Sequence, residues 1–281
     1  MESYVKSSVK RTQVKRIMSS KWKNAPIFYM TAQVRFGAVL TMGDFVSGIQ
    51  SRLRHEFPDF STQQLHQFEL QLGNNSAGPE PKTTSSLRWH FKNLETTAGY
   101  VLAADSLCFH TTDYSTSEEF ISRMLSGLEL VNEQVGLAYV ESIGIRSLDA
   151  IVPNDGHSID FYIKANVRGL YGKLDGEFKH CILEAVVEQS VGRLVSRVVT
   201  LKGGLGISAE LMPFALKIRE DLQNLSGVHV VIDNDCQKVE RLPFDLTKVS
   251  DRLTLLKRAI SDAFLEAVTD EAVSYWKGES I

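Results

Sequence analysis

Residues 87–92 read Leu-Arg-Trp-His-Phe-Lys, an unbroken alternation of apolar and cationic side chains. Successive side chains of a strand point to opposite faces, so Leu87, Trp89 and Phe91 share one face and Arg88, His90 and Lys92 the other. A strand with one dry and one wet face belongs to an antiparallel sheet. The strands of a parallel sheet are covered on both sides and read as continuous apolar runs. This stretch therefore points away from a doubly wound fold.

The rest of the chain agrees. "IFYMTAQVRFGAVL" is rich in aromatic and β-branched residues, as a strand should be, and "QFELQL" (67–72) alternates. "GYVLAADSLCFHTTDY" supplies one or two further strands, "LAYVESIGIRSLDAIV" another, and "VHVVIDNDC" (228–236) one with an acidic end. "HCILEAVVEQSVGRLVSRVVTL" reads as a hairpin around Gly192. Helical periodicity marks 45–57, with Phe45, Val46, Ile49, Leu53 and Phe57 on one face, and 117–135, with Phe120, Ile121, Met124, Leu125, Leu128 and Val131. Ser115 and Thr116 each stand three residues before a glutamate, a helix-start signature. A long helix runs from Ser250 to about Val268, and Thr269 caps a last one over "DEAVSYW". "NNSAGPEPKTTSS" (74–86) has the composition of a loop, and "IDFYIKANVRGLYG" fits a helix only in part. Runs of antiparallel strands with segregated helices give an α+β class, with antiparallel sheets packed on helices and a long C-terminal helix closing the fold. The polar break "PNDGHS" (153–158) divides the chain into α+β halves over 25–152 and 153–281. The pattern leaves open whether these make one sheet or two, or one continuous domain.

Charge is unevenly placed. The chain carries a formal net charge of -3, yet residues 1–24 sum to +6 and the remainder to -9. The cations are Lys6, Lys10, Arg11, Lys15, Arg16, Lys21 and Lys23, against Glu2. Residues 1–24 thus read as a basic arm on an acidic body. The body is not a protein that coats nucleic acid with its whole surface. The arm suits nucleic acid, an acidic partner or, last, an anionic membrane, with Trp22 as the one good anchor. The sequence has no apolar run near the ~20 residues that span a bilayer and no secretory signal pattern. Cys108, Cys181 and Cys236 are odd in number and form no CxxC pair, so reduced thiols in a cytoplasmic protein are expected.

Several longer stretches occur in a familiar order. "NAPIFYMTAQVRF", "YVESIGIRSLDAIV", "VHVVIDNDC" and "LTLLKRAISDAFLEAVTDEAVSYW" together resemble a sporadically distributed bacterial family of uncharacterised function, over about residues 24–277. That family tends to carry a Pro-apolar opening strand, a mid-chain Gly-apolar-Arg strand, an Asp-apolar-Asp strand and a closing pair of helices. This chain keeps Arg146 but departs at Tyr29, Ser147, Asp149 and Leu256 or Lys257. The resemblance implies a bacterial protein of patchy occurrence, which suits accessory systems such as phage defence or toxin–antitoxin pairs.

No local pattern marks catalysis. "LKGGLGIS" (201–208) lacks the Gly-Lys-Ser/Thr of a phosphate loop and reads as a turn. Asp233 and Asp235 share a side of their strand without a third acid nearby, and read as a solvated strand end. The histidines show no HxH or HxxxH spacing, and there is no GxSxG. Neither a metal site nor a cofactor is expected. Arg35, Arg88, His90 and Lys92 would form a basic sheet face if their strands are neighbours, and Arg146 with Asp149 an internal ion pair or interface contact. Three functional readings follow. The first is a non-enzymatic component of a defence or toxin–antitoxin-like system, acting through contact with a protein partner encoded nearby. The second is a nucleic-acid-binding accessory protein using the arm and the basic face. The third is a small-molecule or lipid binder with an apolar cavity.

Overall fold

The computed structural model describes residues 22–70, 81–154, 156–206 and 216–279. Nine strands form a single antiparallel sheet in the order β2-β3-β4-β5-β1-β6-β9-β8-β7. In chain order these are β1 (Ile27–Phe36), β2 (Asp59–Leu70), β3 (Pro81–Lys92), β4 (Ala98–Ala103), β5 (Ser106–Thr111), β6 (Tyr139–Ile151), β7 (His180–Glu188), β8 (Arg193–Lys202) and β9 (Val228–Pro243). The two halves expected from sequence thus share one sheet, joined where β6 lies between β1 and β9.

Helices α1 (Met42–Leu53), α2 (Ser117–Val135) and α4 (Leu246–Ala267) cover one face of the sheet. Short α3 (Ile159–Tyr162) and C-terminal α5 (Asp270–Lys277) pack together near the end of α4. The covered face is the main core. Met30, Ala32, Val34 and Phe36 of β1, Trp89 and Phe91 of β3, and Ile143 and Ile145 of β6 meet the apolar stripes of the helices there. The strict alternation of residues 87–92 is realised, with the aromatic pair inward. The opposite face is only partly covered: Leu205, Leu216 and Leu222 lie over Phe28, Leu148 and Val231.

Helix starts follow local chemistry. The Thr116 side chain accepts from the Glu119 N–H, and Thr269 from that of Ala272. The Asp245 carboxylate accepts from both Thr247 and Lys248, so α4 starts at Leu246 rather than at Ser250. Three other expectations shift. The first helix begins at Met42 and ends at Leu53. The polar stretch from Pro81 is strand, because each residue of β3 pairs across to β2, from Lys92 opposite Asp59 to Pro81 opposite Leu70. The partly periodic "IDFYIKANVRGLYG" is one short α-helical turn followed by a 3-10 turn over Ala165–Val167.

One close approach fixes how α2 sits on the sheet. The Tyr100 ring of β4 lies against Gly127, where an added Cβ would come within 2.3 Å of ring carbon Cε1. The Tyr100 hydroxyl donates to the Arg123 carbonyl one turn earlier. Gly127→Ala is therefore expected to lower stability by about 1–3 kcal/mol through overpacking, read from urea unfolding as a reduced midpoint at unchanged m-value.

Candidate functional site

The strongest constellation lies between the end of β6, the start of α2 and the middle of α4. β6 turns Ser147 and Asp149 toward the helix layer. α4 presents Lys257, Ser261, Ile260, Phe264 and Leu265 along one stripe at helical spacing. The first residue of α2, Ser117, and Tyr114 just before the helix join them, their hydroxyls 3.0 Å apart. The segment before β1 closes the wall with Trp22, Ala25 and Pro26. Together they line a cavity of about 120 Å³.

Two opposite charges face this cavity, and both are buried: Asp149 is 6% exposed and Lys257 9%. The Lys257 ammonium donates to the Ser261 hydroxyl at 2.7 Å and lies 5.9 Å from the centre of the Tyr114 ring. Among the described residues, no direct ion pair joins Lys257 to Asp149. Burial is consequently the first influence on each. It pushes the Asp149 carboxyl up to about 7, against the opposing pull of Lys257 and a Ser147 hydrogen bond. It brings the Lys257 ammonium down to about 8, against the pull of Asp149. Burial also raises the Tyr114 hydroxyl to about 12. The α2 N-terminus adds Thr116 and Ser117 to the wall and brings the positive end of its dipole near. The cavity thus offers a cationic side, a carboxyl side, and an apolar wall from Trp22, Ile260 and Phe264.

The opposite face of the sheet carries a second polar group. Arg146 forks onto Asp233, with Nε 2.7 Å from Oδ1 and Nη2 2.6 Å from Oδ2. Arg197 reaches the same carboxylate at 3.4 Å and holds Glu184 at 2.6 Å. Arg146 therefore pairs with Asp233, and not with Asp149 as its spacing suggested. Residues three apart in a strand lie on opposite faces. Asp233 is likewise no solvated strand end, being mid-strand in β9 and 6% exposed.

The remaining sequence candidates are placed as follows. Arg35, Arg88, His90 and Lys92 do share one sheet face, but β4 and β5 separate β1 from β3. Arg35 pairs with Asp105 at 2.6 Å, Lys92 with Asp59 at 3.2 Å, and His90 meets the Gln63 side chain at 3.2 Å. Burial, helped by Lys92 and Arg88, lowers the His90 pKa. Lys6, Lys10, Arg11, Lys15, Arg16 and Lys21 lie outside the described residues, whereas Lys23 is exposed. Trp22 is docked, its ring stacked on Trp276 at 6.3 Å and tilted against Phe264. Cys108 meets Thr31 at 3.0 Å, and burial raises its thiol to about 11, the reverse of what a nucleophilic cysteine needs. Among the described residues, no three His, Cys, Asp or Glu side chains converge as a metal site would require, and no helix is long and apolar enough to cross a membrane.

In the sequence, Lys257 is marked only as a departure from the resembling family, yet a stronger signal exists. It stands four residues after Leu253 and three before Ile260, inside the apolar stripe of α4. A lysine at such a position is either buried or the stripe is broken.

No protein-family model matches the chain, and no curated protein matches it with significant similarity.

Two outcomes are expected. Arg146→Met leaves the Asp233 charge buried with only Arg197 near, so it should cost about 3–5 kcal/mol, and the double variant with Asp233→Leu should regain most of that loss. Chemical denaturation of the single and double variants measures both. Asp149 binds more protons folded than unfolded between its ordinary value of 3.8 and about 7. Its contribution to stability therefore falls as pH rises across that window. Asp149→Asn should remove this fall, so its stability relative to wild type improves from pH ~4 to pH ~7 by on the order of a few kcal/mol; parallel denaturation curves across that range are the check.

Proposed function

We infer that the chain is a non-enzymatic binding protein whose specificity resides in the cavity beneath the α2 N-terminus. The ligand class is a small zwitterion of amino-acid size. The observation that carries this is the pair of buried charges, Asp149 and Lys257, that face one cavity without bridging each other. A carboxylate fits between Lys257 and the first turn of α2, where the ammonium and the positive end of the helix dipole favour an anion. An ammonium fits the Asp149 carboxyl, and an apolar side chain fits the wall of Trp22, Ile260 and Phe264. The volume is comparable to the ~150 Å³ cavities that accept a single aromatic ring, so the ligand is small and not a lipid tail. Buried ionisable groups with displaced pKa values in a cleft are a recognised mark of a functional site.

This reading also gives the cavity its place in a cell. In the bacterial accessory setting that the family resemblance implies, defence or toxin–antitoxin-like, occupancy of the cavity is the signal and a protein partner reads it. The setting is cytoplasmic, where the three thiols stay reduced.

The first test is a thermal-shift and calorimetric screen of the purified chain against the free amino acids. A binder is expected to raise Tm in the wild type. Lys257→Met, which keeps the stem but removes the charge, should weaken that binder by about tenfold or more. Equal affinity in wild type and Lys257→Met, or no binder together with no small molecule released on heating protein purified from the native host, overturns the assignment.

A further inference from the structure

β7 is an edge strand, and among the described residues no strand pairs with its free side. It ends the sheet order, and its residues from Glu184 to Glu188 are all exposed. Ile182, Val186 and Val187 are 59%, 45% and 46% exposed, an unusual load for an unpaired edge. β7 has no proline or lysine to guard it. Its central acid is already occupied, since Glu184 holds Arg197 of β8 at 2.6 Å.

The hydrogen-bond parity of β7 is fixed by its hairpin. Gln189 and Gly192 exchange both backbone bonds, and Lys202 donates to the Lys179 carbonyl. Odd-numbered residues of β7 thus bond to β8, and His180, Ile182, Glu184, Val186 and Glu188 direct N–H and C=O outward. The outward groups are spaced for another antiparallel strand.

We propose that this strand is β7 of a second copy of the chain, paired across a two-fold axis at Glu184. In that register every outward residue meets another outward residue, so the ladder is complete. Ile182 lies opposite Val186 of the second copy, and Val186 opposite Ile182, two apolar pairs flanking the axis. His180 lies opposite Glu188, whose own contact to Arg193 is a loose 3.6 Å. Cys181 meets Val187, and Leu183 meets Ala185, on the other face. The two Glu184 side chains meet at the axis, each carrying its own Arg197, so the centre is a neutral four-charge cluster and not a repulsive pair. A closed two-fold contact of this kind is isologous and stops at the dimer. The strand sequence is complementary to itself reversed, which a partner of unrelated sequence would not require.

The experiment is sedimentation velocity on the full chain, with two variants. Wild type should show a concentration-dependent dimer, with a Kd on the order of micromolar for so small an interface. Val186→Lys replaces one member of both apolar pairs with a cation set against Ile182 of the other copy, and should sediment as a monomer, with unchanged circular dichroism and Tm as the control for folding. Glu184→Cys places two thiols on the axis at a pair spacing of about 5.5 Å, within disulfide reach. Mild oxidation should trap it as a covalent dimer. A wild type that stays monomeric at ~100 µM, a Val186→Lys variant that dimerises as the wild type does, a wild-type dimer that Glu184→Cys fails to trap, or a monomer that captures a different protein on this edge would each overturn the proposal.

Discussion

Strand β6 is buried on both faces over most of its length, and two of the charges it carries, Arg146 and Asp149, are buried with it. The period-two geometry of a strand sends Arg146 to one side of the sheet and Asp149 to the other. Neither can satisfy the other, so each must be answered by a different layer of the molecule. Arg146 is answered within the sheet, by a bidentate fork onto Asp233 of β9. Asp149 is answered by a Ser147 hydrogen bond and, at a distance, by Lys257 from the helix layer. The first solution ties the C-terminal strands to the N-terminal ones. The second leaves a polarised gap.

These two solutions differ in what they do for stability. A forked arginine–carboxylate pair recovers much of its desolvation cost, and it specifies register because slipping β9 by one residue would strand both charges. The Asp149 and Lys257 arrangement recovers less. Both groups are drawn toward their neutral forms by burial, which is the signature of a site under-supplied with partners. A fold selected for stability alone would place apolar residues there. Under the proposed function, an occupant would supply the partners these two groups lack.

Much of the architecture is written locally. The alternation of residues 87–92, the hairpin around Gly192 and the side-chain caps at Thr116 and Thr269 each depend on neighbours in sequence, and each is found in place. What was not legible depends on distant partners. Pro81 to Ser86 has loop composition and becomes strand because β2 offers it a ladder. The pairing of Arg146 spans to residue 233, and spacing along the chain suggested Asp149 instead. The cavity joins residues 22, 149 and 257, and no local pattern announces it. The parity of Arg146 and Asp149 and the apolar neighbours of Lys257 were nonetheless present in the sequence, and together they place Asp149 and Lys257 on one side of the sheet and Arg146 on the other.

Trp22 has a double position. It stands at the end of the basic segment, and its ring is also a wall of the cavity, wedged against Phe264 and Trp276. Free energy stored in that wedge is shared by whatever engages the cations before it and whatever fills the cavity behind it. By reciprocity, a pull that loosens the ring must weaken the occupant by the same factor by which the occupant resists the pull. Were the arm and the cavity both to bind as proposed, the indole would act as a mechanical fuse between them.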